Sequence, residues 1–289
     1  MSKFDAFLYD ETKTTRRIKI ATTAMRCERN AWDNRTRIAV MIEAVMQQQP
    51  DVELILFGEM ILGWYMPGKQ SDYHRQISEP IPGETTQTLV LLAQKFGIYI
   101  CLGISELDGD RLYNSQVLLN PQGEIQVVHR KSNLKPGEVD GGYQPGSAKV
   151  TATEIKGIKT GLVICSDTAS PRTMWALMRG KFGLILHSLA DDDRDDFVTK
   201  FQARMYDAWF VTANRFGQEN GHFWPGLITV TDPLGAIRSA AQGQEQFLVY
   251  ELHLAEAGSW FKRAIRNIWV KAPLIVHVIK NWKQARSYL

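Results

Sequence analysis

Three residue types that could act together on a carbonyl or nitrile carbon stand at the ends of apolar runs in this chain. ELILF (53–57) leads into Gly58-Glu59, QVVHR (126–130) leads into Lys131, and KTGLVIC (159–165) ends in Cys165 ahead of Ser166-Asp167. A thiol with a pKa of about 8.5 needs a base or positive surroundings to attack at neutral pH. Glu59 could take its proton if burial raised the carboxyl toward neutrality. Lys131, with the backbone N–H of Ser166, could hold the oxyanion of a tetrahedral intermediate. Each residue alone has a plainer reading: a solvated or capping glutamate, a surface lysine, a core cysteine. Taken together, they suit attack on an amide or nitrile carbon with release of an amine or ammonia.

The elements needed to position such a set are legible. Residues 17–24, 53–57, 97–106 and 159–165 are short runs rich in Val, Ile and Leu, as expected of buried strands. Ile38, Met41, Ile42 and Val45 recur at helical spacing and predict a helix over 31–48; Leu89, Leu92, Ala93 and Phe96 predict a second. Asn120-Pro121-Gln122-Gly123 marks a hairpin turn. Ser170-Pro171 predicts an N-cap and first-turn proline for a helix over about 171–181. Phe197, Phe201, Met205 and Ala208 predict another helix, and WFVTAN, GLITVTD and QFLVYELH further strands. Alternation of strand and helix predicts a single α/β domain of mixed sheet with helices on its faces. In such sheets functional groups gather beyond the carboxyl ends of strands, where all three candidates fall.

The totals are those of an ordinary soluble protein: 289 residues, 44% hydrophobic and 22% charged, with net charge +3. The three cysteines are widely spaced and form no CxxC or Cys/His cluster, which argues against a disulfide framework or zinc site. No metal or organic cofactor is expected. The N-terminal residues lack the apolar core of a secretory signal, and no run reaches the length of a membrane span, so a cytoplasmic setting is expected.

With these residues in view, the chain resembles the nitrilase, or carbon–nitrogen hydrolase, superfamily. LILFGEMILGWY, VVHRKSNLKPGE and TGLVICSDTASP match the three segments of its Glu–Lys–Cys triad, and intervening stretches match as well, over about residues 17–255. The resemblance implies a four-layer αββα sandwich, a homodimer or higher homo-oligomer, and cofactor-free hydrolysis of a non-peptide C–N bond through a cysteine thioester. It assigns Glu59 as general base, Lys131 as oxyanion stabiliser and Cys165 as nucleophile. Glu138, seven residues past Lys131, matches a second glutamate that positions substrate and triad. Ser166-Asp167 stands where true nitrilases carry Trp-Glu, which favours an amide or ureido (N-carbamoyl) substrate over a nitrile. Gly58 replaces the usual proline before the glutamate, which is expected to loosen the backbone there. Acyl transfer from the same thioester, nitrile hydrolysis and a non-catalytic binding scaffold are the alternatives.

Two stretches fall outside the family pattern. Asp191, Asp192, Asp193, Asp195 and Asp196 form either a solvated cap for the next helix or an acidic pocket rim selecting a cationic amide. Residues 258–289 carry seven Lys or Arg and no acid, leaving the 1–257 domain net −4. Phe261, Ile265, Ile268, Trp269 and, beyond Pro273, Ile275, Val278, Ile279 and Trp282 give this extension two basic amphipathic periods. They fit an arm packed on the body or a subunit interface, or peripheral docking on an anionic membrane. No nucleic-acid-binding module is recognisable.

Overall fold

The computed structural model describes residues 14–65, 72–192, 196–255 and Ile268. The basic extension 258–289, apart from Ile268, and Asp193 and Asp195 of the acidic stretch therefore lie outside the described residues.

Chain order explains the sheet. Strand β1 (Thr14–Arg26) is followed by helix α1 (Ala31–Gln48), strand β2 (Leu54–Leu56), short helix α2 (Tyr73–Gln76), helix α3 (Glu84–Phe96) and strand β3 (Tyr99–Asp108). Strands β1, β2 and β3 are consequently parallel neighbours joined by helical crossovers. From β3 the chain turns directly into β4 (Arg111–Leu119) and β5 (Ile125–Arg130), both antiparallel to the preceding strand. The predicted hairpin turn sits between them: the Asn120 side-chain oxygen accepts from the N–H groups of Gln122 and Glu124, and Gly123 takes φ +79°. Two reversals make β5 parallel to β2, so the chain leaves β2 and β5 at the same end of the sheet.

The second half repeats the plan. After helix α4 (Pro136–Asp140) come β6 (Thr151–Ile155), β7 (Ile158–Ile164), helix α5 (Pro171–Gly180), β8 (Leu184–Ser188), helix α6 (Asp196–Tyr206) and β9 (Trp209–Glu219). Strands β7, β8 and β9 are parallel. β9 pairs with β8 along 209–213 and with β1 along 214–216, and this crossing ties the two sheets together. Strands β10 (His222–Pro225), β11 (Ile228–Thr231), β12 (Ile237–Ala241) and β13 (Gln246–Ala255) complete the described chain, β13 lying antiparallel to β1.

Three apolar clusters define the layers. One faces outward from the first sheet and packs α1 and α3 through Ile38, Ile42, Val45, Leu89 and Ala93 against Ile55, Ile100 and Leu102. A second lies between the sheets, where Ile18, Ile20, Leu54 and Leu56 meet Leu162, Leu184, Leu186, Trp209 and Val211. The third covers the second sheet with α5 and α6, through Leu177, Ala203 and Tyr206 on Val163, Ile185 and Phe210. The result is a helix–sheet–sheet–helix sandwich, as expected. Alternation along β2 sends Leu54 and Leu56 inward and Ile55 outward, which is why this short strand is apolar on both faces.

Candidate active site

β2, β5 and β7 end together, and the residues that follow them converge. Beyond β2 the chain stays bound to its neighbours: Phe57 N donates to the Cys101 carbonyl (2.8 Å), and Glu59 N to the Leu189 carbonyl (3.1 Å). Beyond β5, Lys131 N donates to the Asn114 carbonyl at 2.8 Å. Glu59 and Lys131 are 0% exposed, Glu138 3% and Cys165 6%.

The lysine ammonium binds both glutamates. Its Nζ lies 2.7 Å from Glu59 Oε1 and 2.8 Å from Glu138 Oε2. Asn114, on β4, closes the square: its Nδ2 donates to Glu59 Oε1 (2.7 Å) and to Glu138 Oε1 (2.6 Å). Glu138 is the third residue of α4, and its Oε2 also accepts from Lys135 N at the helix start (2.8 Å). It is no solvated loop carboxylate. Two oxygens of the cluster, Glu59 Oε2 and Asn114 Oδ1, are buried with no hydrogen-bond partner, and the first is its one unpartnered carboxyl oxygen.

Electrostatics follow from two carboxyls sharing one buried ammonium. Burial, with the nearby Glu138 charge, raises Glu59 above the ordinary carboxyl range against the opposing pull of Lys131. Burial works against the Lys131 charge, but Glu59, Cys165, Tyr65 and Glu138 outweigh it and raise the ammonium well above the usual lysine value. Burial and the Glu59 charge push the Cys165 thiol up to about 12, while Lys131 and Lys135 pull it down less strongly. The resting thiol is therefore protonated at neutral pH. Alkylation of Cys165 by iodoacetamide, followed by peptide mapping, is expected to accelerate about tenfold per pH unit from pH 7 past pH 10. A plateau near pH 8.5 would contradict this thiol environment.

Cys165 sits on a strained turn, with φ +40° in the left-handed region. The Cys165 carbonyl is held from two sides, by Thr168 Oγ1 (3.1 Å) and His187 Nε2 (3.3 Å), both donating. Burial lowers the His187 pKa to about 4, so the ring is neutral when it donates. Ser166 follows, its hydroxyl donating to the Asn133 carbonyl while Asn133 Nδ2 donates to the Ser166 carbonyl at 2.6 Å.

The loop after Glu59 is wrapped around one guanidinium. Arg215, wholly buried on β9, donates through Nη1 to the carbonyls of Glu59 (2.9 Å) and Met60 (2.7 Å) and through Nη2 to that of Gly63. Glu219 neutralises it, with Nε to Oε1 at 2.9 Å, and receives Tyr65 N at Oε2 (2.8 Å). Tyr65 thereby returns to the triad: the charges of Glu59, Lys131, Glu138 and Cys165 all act on its phenol, which burial and Glu59 hold well above the ordinary value. Its ring meets Trp224 edge-on at 5.7 Å.

Two glycines permit this close fit. A Cβ on Gly103 of β3 would lie 2.7 Å from Glu59 Cα and 2.7 Å from the Gly58 carbonyl. A Cβ on Gly58 would lie 2.9 Å from the Asn214 carbonyl carbon and 3.1 Å from the Leu189 oxygen. Gly58 thus allows a tight approach of strands where looseness was expected. Gly103→Ala is expected to destabilise the protein by about 1–3 kcal/mol in urea titrations and to lower turnover by displacing Glu59. An unchanged midpoint would show that the loop yields freely.

In the acidic stretch, Asp191 is fixed by its backbone, which exchanges bonds of 3.1 and 2.9 Å with the Asn214 side chain. Asp192 is half exposed and lies 3.2 Å from His222 Nε2. Among the described residues no cluster of His, Cys, Asp and Glu has metal-binding geometry. Sequence reasoning missed Asn114, Asp167, Arg215 and Glu219. Of these only Asp167, two residues past the cysteine, stood beside a residue already in view.

The family model for carbon-nitrogen hydrolase matches residues 19–262. The chain belongs to the carbon–nitrogen hydrolase family. Among characterised relatives it is 29% identical to an (R)-stereoselective amidase of Pseudomonas sp., over 77% of this chain and 81% of that one. It is 30% identical to the omega-amidase NIT3 of Saccharomyces cerevisiae, over 76% and 81%. The solved Nit3 structure from the same yeast superposes with a TM-score of 0.74 at 24% identity, covering 87% of this chain and 95% of that one. The NitN amidase from Neterenkonia sp. AN1 gives a TM-score of 0.72 at 21% identity, covering 81% and 92%. As a carbon–nitrogen hydrolase the chain is an enzyme acting on a small molecule. No helix among its described residues is long and apolar enough to cross a membrane.

Proposed function

We propose that this carbon–nitrogen hydrolase cleaves an amide or N-carbamoyl group through a thioester on Cys165. The observation that carries the reading is the unpartnered Glu59 Oε2, in a cluster that already holds the other carboxyl oxygens of Glu59 and Glu138. Burial makes Glu59 a stronger base than a solvated carboxylate, and its open oxygen leaves a place for a proton. Because the resting thiol is protonated, attack and deprotonation are coupled. Glu59 takes the Cys165 proton as the sulfur bonds to the carbonyl carbon. The oxyanion is met by Lys131 Nζ and the Ser166 N–H. Glu59 then gives its proton to the departing nitrogen as the C–N bond breaks, leaving an acyl-enzyme thioester and ammonia or an amine. Water, deprotonated by Glu59, attacks the thioester, and the thiol is released protonated with the carboxylic acid.

Glu138 and Asn114 fix Lys131 and Glu59 throughout. The names of the amidase and omega-amidase relatives support an amide over a nitrile. A reducing cytoplasmic setting suits a thiol nucleophile, and all three cysteines are free. Assembly as a homodimer, which the resemblance to the family implies, is part of this proposal. The test is an ammonia-release screen over amides, N-carbamoyl compounds and nitriles, with Cys165→Ala as the blank. Hydroxylamine added to a turning-over reaction should yield the hydroxamate of the acyl group. Release by Cys165→Ala at the parent rate would end the thiol mechanism.

A further inference from the structure

The nucleophile's turn and the lysine's loop come from different sheets, and beside the Ser166–Asn133 pair one buried carboxylate joins them. Asp167 is 0% exposed and its carboxylate accepts five hydrogen bonds. Oδ1 takes Ser132 N (2.9 Å), Ser132 Oγ (2.9 Å) and Asn133 N (3.0 Å), from the residues directly after Lys131. Oδ2 takes His129 Nε2 (2.8 Å), two residues before Lys131, and Ile164 N (3.2 Å), directly before Cys165. The bonds therefore bracket Lys131 on both sides. They also close a ring around Cys165, with Ile164 before it and Asp167 after it. His129 is itself oriented by Thr151, whose Oγ1 lies 2.9 Å from Nδ1. Burial alone would raise the Asp167 carboxyl, but His129 and the backbone N–H groups overcome this and hold it below the ordinary range, so it is ionised.

We propose that Asp167 is a positioning residue of the reaction, locking the Lys131 ammonium and the Ser166 N–H into one frame around the Cys165 sulfur. This rests on the triad reading above. No other carboxylate described on either loop bonds to both. The strained Cys165 backbone needs such over-determination, since a left-handed non-glycine residue persists only where its surroundings hold it. Displacing one member of a reacting set by about 1 Å costs on the order of 100-fold in rate.

The experiment uses the full chain and an amide found by the ammonia-release screen. Asp167→Asn keeps the shape but supplies one acceptor oxygen in place of two and removes the charge. It is expected to lower kcat by about 30–300-fold with KM within threefold of the parent. A second readout separates positioning from loss of fold. The ratio of Cys165 alkylation by iodoacetate to that by neutral iodoacetamide reports the positive charge beside the sulfur, and it should fall at least about threefold as Lys131 drifts away. His129→Gln, which removes one of the five bonds, should shift kcat and the alkylation ratio in the same direction by smaller factors, and it carries the test if Asp167→Asn does not fold. Parent-like kcat in the folded variants would overturn the proposal, as would an unchanged alkylation ratio with a kcat loss matching the loss of folded protein. Failure of the triad reading looks different: the parent would then give no hydroxamate, or Cys165→Ala would turn over.

Discussion

Glu59→Gln is expected to lower kcat by roughly a thousandfold or more while leaving the fold intact. The amide has the shape of the carboxylate, and one oxygen remains to accept from Lys131 and Asn114 in place of Oε1. The nitrogen then occupies the position of Oε2, which has no partner to lose. Chemistry suffers because the amide cannot take the thiol proton, give it to the departing nitrogen or activate water. One substitution thus removes proton transfer from every step, and no described group bonds to the sulfur as a substitute base. KM should change little, since Glu59 touches the substrate mainly as it reacts. Steady-state ammonia release and a urea unfolding curve check both parts. A variant retaining more than a tenth of parent turnover would remove Glu59 from the proton path. The same residue's burial also predicts a direction for Lys131→Met: without the ammonium that pulls it down, the Glu59 carboxyl is held still further toward its protonated form, which weakens the base and lowers kcat in the same ammonia-release assay.

Arg215→Met is expected to destabilise the protein by about 3–5 kcal/mol. The guanidinium is wholly buried and binds three carbonyls of the Glu59 loop and the Glu219 carboxylate. Removing it strands Glu219, also wholly buried, and leaves the loop carbonyls without donors. Arg215→Lys should recover little, because one ammonium cannot reproduce contacts spread over several nitrogens of a planar fork. Pairing Arg215→Met with Glu219→Gln should restore part of the loss, since the stranded charge disappears. Urea midpoints of the three variants test this, and a loss below about 1 kcal/mol for Arg215→Met would show that water or a shifted loop replaces the guanidinium. Turnover should fall with stability, because the same carbonyl contacts fix Glu59.

The elements of this protein were largely written in local pattern. The period of Ile38, Ile42 and Val45 and the cap at Asn30 place α1 over the predicted residues, and Ser170-Pro171 opens α5 as expected. The pattern misled at edges: the run 159–165 continues through Cys165, but β7 ends at Ile164 and Cys165 stands on the turn beyond it. Ala208 continues the spacing of Phe201 and Met205, but Asp207 takes φ +56°, and the chain leaves α6 for β9 there. Glu59, Lys131, Glu138 and Cys165 were legible because each follows an apolar run or sits within a quoted motif.

Their supports were not. Asn114 meets Glu59 from 55 positions away, Asp167 meets Ser132 from 35, and Arg215 meets the Glu59 carbonyl from 156. In the sequence they are ordinary polar residues near strands, and Gly103 reads only as a weak point in β3. The sequence by itself determined the chemical types and the strand ends that carry them, because apolar periodicity and short-range turn chemistry act over a few residues. Tertiary structure alone decided that two carboxyls share one ammonium, that Glu59 keeps an open oxygen, and that Asp167 and Arg215 hold the loops. Those outcomes depend on burial and on hydrogen-bond distances between segments far apart in the chain, and neither exists until the two sheets have closed on each other.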